Sequence, residues 1–198
     1  GAVIVPSGRR LGFAEIAMLA ATGRAQAAVY RKPKVAILST GDEIVEVGTA
    51  PGESQIRNSN SYSLAVQVAR AGGDPEILPI ARDNRESTWQ MIEWGLRSDL
   101  LLISGGVSAG KYDIVETVLA EFGARIFFDR VKVQPGQPLV FGTAQDRFFF
   151  GLPGNPASTM VTFEIFARAA VDLLSGRTES PLPVLQAALT NPFRHKPG

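Results

Sequence analysis

Short apolar runs rich in Val, Ile, Leu and Phe alternate along the chain with stretches of helical periodicity. The runs are KVAILS (34–39), DPEILPIA (74–81), DLLLIS (99–104) and RFFFGL (147–152). They read as strands buried on both faces, because both alternating positions are apolar. A fifth run, RIFFDRVKV (125–133), leads through a Pro and Gly turn into PLVFG (138–142), the pattern of a small antiparallel hairpin arm. Between the runs the pattern predicts helices over about 60–71, closed by Gly72 and Gly73; about 88–97, opened by Ser87 with Gln90 three residues on; about 114–122, closed by Gly123; and about 157–175, closed by Gly176. Strands alternating with helices predict an α/β fold, a three-layer doubly wound and mostly parallel sheet.

The two ends read differently. Residues 1–30 hold a Gly and Pro opening and a short amphipathic helix near 13–22, and look like the end of a preceding domain. Residues 31–178 form the central unit, and 179–198, with PLPVLQAAL between prolines, look like the start of a further β domain. The absence of an initial Met suggests a fragment.

Composition narrows the chemistry. With 20 basic and 19 acidic residues interspersed among 198, the formal charge of +1 gives no block that argues for nucleic acid or an anionic membrane. There is no cysteine and a single histidine, His195, so a zinc site and a disulfide framework are excluded on inventory. Any metal would need oxygen ligands. No apolar run approaches the roughly 18 residues of a membrane span, and no signal-peptide pattern opens the chain, so a cytoplasmic protein is expected.

In an open parallel sheet, ligands bind beyond the carboxyl ends of the strands. Thr40, Gly41, Asp42 and Glu43 follow the first run; Arg82, Asp83 and Asn84 follow the second; SGGVSAGKYD (104–113) carries the third onward; and Pro153, Gly154, Asn155 and Pro156 follow RFFFGL. One crevice would then gather Asp42, Glu43, Asp83 and Asp113, an oxygen-rich site suited to a hard cation such as magnesium. Plainer readings stand beside this one. Asp113 with Glu116 has the form of a capping box, Asn155-Pro156 that of a helix start, and Asp42 and Asp83 suit turns.

Gly105, Gly110 and Lys111 match the phosphate-loop pattern G-x-x-x-x-G-K-[ST] until Tyr112 stands where a small hydroxyl is needed. The helix is expected to start at Asp113, after the Lys, so ATP hydrolysis in the P-loop manner is not expected. Gly105 and Gly106 still permit close backbone approach to a phosphate. In VKVQPGQPLVFG, Arg130 and Lys132 near the turn offer positive charge, and Arg57 precedes a helix, free for a surface or a ligand contact.

LSTGDEI, QIRNSNSYSL, SGGVSAGKYD, VKVQPGQPLVFG and GLPGNPAS, in this order over 35–158, resemble the catalytic domain of the molybdopterin molybdenumtransferase family, the MoeA and gephyrin E-domain proteins. The resemblance implies a MogA-like molybdopterin-binding fold and a transferase of molybdenum cofactor biosynthesis. Such an enzyme takes adenylated molybdopterin and molybdate as substrates, needs a divalent cation (Mg2+) and releases AMP. By the family's motifs, Glu43, Asp83 and Asp113 would serve catalysis and the cation. Residues from Ser104 to Ser108, Gly105 and Gly106 among them, would line the pterin phosphate. Thr40, Gly41, Asp42 and Lys111 would complete the substrate site, with Pro153, Gly154, Asn155 and Pro156 shaping a loop and Arg130 aligning with a functional Lys of some members. Gln134 and Gln137 stand where some members carry Lys, and Asn58 where others carry Asp.

Relatives work as homodimers, so the resemblance also implies a dimer in the full-length protein, an inactive isolated fragment, and a MogA-type enzyme as a possible partner. A MogA-type adenylyltransferase, which makes the adenylated intermediate, and a non-catalytic gephyrin-like scaffold are the competing readings.

Overall fold

A strand that is apolar at every position must be covered on both faces, and β1 (Lys34–Ser39) shows this. Val35 and Ile37 enter one core, Ala36 and Leu38 the other, and all four are inaccessible to solvent. The computed structural model describes residues 2–105, 112–177, 185–188 and 190, with Tyr112 and Asp113 described by their backbone alone. The sequence expectations for Gly106, Ser108, Lys111, His195 and the Asp113 side chain lie outside the described residues.

In chain order, α1 (Phe13–Ala21) precedes β1, followed by β2 (Ile44–Val45), β3 (Ile56–Arg57), α2 (Asn60–Ala71), β4 (Asp74–Ile77), α3 (Arg85–Gly95), β5 (Leu100–Ser104) and α4 (Tyr112–Glu121). Then come β6 (Arg125–Arg130), β7 (Pro138–Ala144), β8 (Arg147–Leu152), α5 (Pro156–Thr162), a π-helical turn (Phe163–Ala167) and α6 (Arg168–Leu174). Six strands form one sheet in the order β4-β1-β5-β8-β7-β6. Its first four strands are parallel, and β7 and β6 continue it antiparallel.

Helix α2 and the helix from α5 to α6 cover one face, through Leu64, Val68, Phe163 and Val171; α3 and α4 cover the other, through Ile92, Leu96, Val118 and Leu119. The chain leaves β1 over the first face to reach β4 on one side, then returns over the second face to β5 on the other. The winding therefore reverses between β1 and β5, the topological switch point where doubly wound sheets open a crevice. Among the described residues, no helix is long and apolar enough to cross a membrane.

Several elements differ in detail from the sequence expectation. The strand expected over 74–81 ends at Ile77, with a single further bridge between Ala81 and Thr40. Helix α3 begins at Arg85, capped by Asn84, whose side chain accepts from the Ser87 N–H at 2.9 Å, so Ser87 is the third residue of the helix, in its first turn, and not the cap. Helix α4 already includes Tyr112, which puts Asp113 inside the first turn, where the N-cap role read from Asp113 and Glu116 does not apply. The expected hairpin is present as β6 and β7, and β7 pairs on with β8 through a two-residue turn in which Gln145 and Asp146 have φ of 47° and 60°.

The single helix expected over 157–175 is interrupted by the π-helical turn. Thr159, Phe163, Ala167 and Val171 are all fully buried at a strict four-residue spacing. In a regular α-helix each such step drifts by about 40°, roughly 120° over three steps. The extra residue of the wide turn takes back about 100° and keeps all four on the sheet.

Candidate active site

At the switch point, a cavity of about 210 Å³ opens between the ends of β1 and β5. Its wall includes Ser39 and Thr40 after β1, Ser104 and Gly105 after β5, Asn58 to Asn60 at the start of α2, and Gly154 and Pro156 after β8. Glu43 and Arg57 are its charged members. Two hydrogen bonds fix the short β2–β3 ribbon beside it, Ile56 N–H to Glu43 O at 2.7 Å and Asn58 N–H to Val45 O at 2.8 Å. The Arg57 Nε donates to Val47 O at 3.1 Å, which holds the guanidinium at the rim.

Glycine is required at Gly105 in the wall by sterics, and at Gly41 beside it by backbone conformation. Gly105 has φ of 88°, and a Cβ there would lie 2.8 Å from the Thr40 carbonyl oxygen. Gly41 has φ of 135°, and a Cβ there would meet the Glu43 carboxylate at 2.5 Å. At Gly105 the ends of β5 and β1 approach closely because a side chain is missing.

Several polar atoms here are buried and lack a partner. Asn58, 2% exposed, accepts at Oδ1 from the Ser61 N–H at 3.2 Å and from Ser39 Oγ at 3.0 Å. A backbone N–H can only donate, so this fixes the amide orientation and leaves Asn58 Nδ2 without a partner. Thr40 Oγ1, in a residue 4% exposed, and Asn60 Oδ1 are likewise buried and unpartnered. A buried polar atom without a partner costs about 1–3 kcal/mol, so three around one cavity mark it as built for a polar occupant.

Each residue singled out in the sequence can now be placed. Thr40, Glu43, Ser104, Gly105, Gly154 and Pro156 line the cavity. Gly41 N–H donates to Ala81 O at 3.0 Å, joining the loops after β1 and β4. Asp42 and Asp83 meet there: the Asp83 N–H donates to Asp42 Oδ1 at 3.2 Å. Asn155 caps α5, accepting from the Ala157 and Ser158 N–H groups at 3.0 and 3.3 Å, and the Pro153 carbonyl accepts from Thr159 Oγ1. Arg130 ends β6, which runs parallel to β8, so Arg130 and Lys132 reach the same end of the sheet two strands away from β8, outside the cavity wall. The turn after them packs on α5, where a Cβ on Gly136 would sit 2.4 Å from Thr162 Cγ2.

Among the described residues, no three His, Asp or Glu side chains are grouped to hold a metal ion. The third acidic member named from the sequence, Asp113, is described by its backbone alone. Sequence reasoning missed Ser39 and Asn60. The signal available was the run Asn58-Ser59-Asn60-Ser61 at the start of α2, whose small amides and hydroxyls suit a cap and, once buried, need partners.

Residues 36–173 match the family described as "Probable molybdopterin binding domain". The whole chain is 38% identical to a molybdopterin molybdenumtransferase of Nostoc sp., of which it covers 46%. It is 34% identical over 92% of its length to the Haemophilus influenzae protein of the same name, covering 45% of it. The chain thus spans about half the length of the curated relatives it matches. Among solved structures, the molybdopterin biosynthesis MoeA protein of Pyrococcus horikosii superposes with a TM-score of 0.78 at 34% identity, over 87% of this chain and 43% of that one. A molybdenum cofactor biosynthesis protein B matches 76% of this chain and 96% of its own at a TM-score of 0.54 and 16% identity, a likeness of fold alone.

Proposed function

The chain belongs to the molybdopterin-binding domain family, and from that premise we propose that it is the catalytic domain of a molybdenum cofactor biosynthesis enzyme that inserts molybdate into adenylated molybdopterin with release of AMP. The observation that carries this reading is the switch-point cavity, whose wall holds three buried polar atoms without protein partners. Relatives named molybdopterin molybdenumtransferase match along the full chain, which supports the same reading.

In this reading the chain's residues bind and orient the substrate. Asn58 Nδ2 is left as a donor, Asn60 Oδ1 as an acceptor and Thr40 Oγ1 as either, all three in residues of the cavity wall. Arg57 at the wall, and Arg130 and Lys132 at the same end of the sheet, offer charge to phosphate or molybdate, taking the part that Gln134 and Gln137 cannot. The donor set fits a hard divalent cation, since Glu43, Asp83 and Asp113 offer oxygen only, and these three would hold magnesium. Magnesium, when bound, supplies charge neutralisation at the pyrophosphate oxygens. Residues 1–30 and 179–198 then belong to flanking domains of a longer, homodimeric cytoplasmic protein, and a MogA-type adenylyltransferase supplies its substrate.

The test is incubation of the full-length protein with adenylated molybdopterin, molybdate and magnesium. AMP release with formation of molybdenum cofactor is the expected result. Formation of the adenylate from ATP and molybdopterin would overturn the reading in favour of an adenylyltransferase, and absence of either reaction in favour of a scaffold.

A further inference from the structure

Asn60 opens α2, yet its side chain bonds to the end of β5 and to the loop after β8. Its Nδ2 donates to Ser104 Oγ at 2.8 Å and to the Gly154 carbonyl oxygen at 2.8 Å. The carbonyl cannot donate, so the amide orientation is fixed, and both N–H bonds are used. One side chain thereby ties the start of α2 to the end of β5 and to the loop after β8, three segments separated by 44 and 94 positions in sequence. The two joined segments are neighbours: a Cβ on Gly154 would be in ordinary van der Waals contact with Gly105 Cα, at 3.8 Å. Two consequences follow for the wall. Ser104 Oγ spends a lone pair on Asn60 and keeps its own proton for another acceptor. Asn60 Oδ1 is buried with no partner and requires a donor. Thr40 Oγ1, in another wall residue that is 4% exposed, is unpartnered as well.

We propose that Asn60 is a positioning residue of this site, holding the β5 end and the β8 loop at the spacing the occupant needs and presenting Oδ1 to an N–H or O–H group of that occupant. The identity of the occupant as adenylated molybdopterin rests on the function proposed above; the clasp itself does not.

Two variants of the full-length protein separate these claims. Asn60→Ala removes both donors and the acceptor; Asn60→Asp keeps the size and Oδ1 but sets a carboxylate oxygen against the Gly154 carbonyl. Hydrogen exchange at Gly105 and Gly154 is expected to quicken about tenfold or more in both variants, with the remaining sheet unchanged. The KM for adenylated molybdopterin is expected to rise about tenfold in Asn60→Ala and further in Asn60→Asp, as for one or two lost buried hydrogen bonds, with kcat within about threefold. A purely structural residue would instead lower the melting temperature and leave KM alone. Unchanged exchange at both glycines, or an unchanged KM in Asn60→Asp, overturns the proposal. If the wild-type protein shows no turnover, the proposed function falls, and the exchange measurement alone decides the role of Asn60.

Discussion

Asp42 and Asp83 hold each other's main chains: the Asp83 N–H donates to Asp42 Oδ1 at 3.2 Å, and the Asp42 N–H donates to Asp83 Oδ2 at 3.5 Å. The exchange joins the loops after β1 and β4, so these carboxylates have a structural part beside any catalytic one. Asp83→Asn separates the two. The amide oxygen still accepts from Asp42, so the melting temperature should stay within about 3 °C of wild type, the equivalent of about 1 kcal/mol. The charge is lost, and with it a cation ligand. AMP release by the full-length protein should fall about 100-fold and be partly restored at higher magnesium. Full activity at ordinary magnesium would remove Asp83 from the cation site.

A second outcome concerns the close approach of β1 and β5. Gly105→Ala places a methyl 2.8 Å from the Thr40 carbonyl in a backbone with φ of 88°. The left-handed conformation alone costs an alanine about 1–2 kcal/mol, and the contact with main chain cannot be relieved by a rotamer change. A loss of about 2–4 kcal/mol in denaturant unfolding is expected. A loss below about 0.5 kcal/mol would show that the two strand ends separate freely.

The amino end of the sheet gives a pH-dependent prediction. Asp99 accepts from Arg31 through two bonds of 2.5 and 2.6 Å and from the Lys34 N–H at 2.8 Å. The hydrogen bonds from Arg31 hold its carboxyl below the ordinary range against the opposing effect of burial, with smaller help from the Lys34 N–H and the charges of Arg31 and Arg147. The folded value being the lower one, the unfolded chain takes up the proton first as pH falls. The stabilisation is therefore complete above about pH 5, past the ordinary carboxylate value near 3.9, and is lost as pH falls through the folded value. Asp99→Asn should cost about 1–2 kcal/mol at pH 7. The gap between the two proteins should close below about pH 4 in thermal unfolding, and a gap that persists to pH 2 would contradict the assignment.

The architecture was legible because it rests on strong periodicity. Val35 to Leu38 and Leu100 to Ile103 are apolar at every position and too short for a buried helix, which leaves a doubly covered strand. The crevice at the strand ends followed from the same topology. The polar detail was not legible, since Asn58 and Asn60 become informative only once burial removes water from them and fixes which amide atom is left over. Likewise, nothing in PASTMVTFEIFARAAVDLL announces a wide turn; the demand comes from the sheet beneath it, which the helix sequence does not contain.

That wide turn makes the helix tolerant of a lesion that other helices do not survive. Deleting one residue from a regular helix turns everything beyond it by about 100°. Removing the half-exposed Ile165 would instead convert the π-helical segment into ordinary α-helix and leave Ala167 and Val171 facing the sheet. Removing the equally peripheral Val66 from α2 would swing Val68 and Ala71 off it. The first deletion is expected to lower the melting temperature by only a few degrees and the second to abolish folding. A length change at this one place is thus absorbed by the backbone, so chains differing by one residue between 163 and 167 can share a single core.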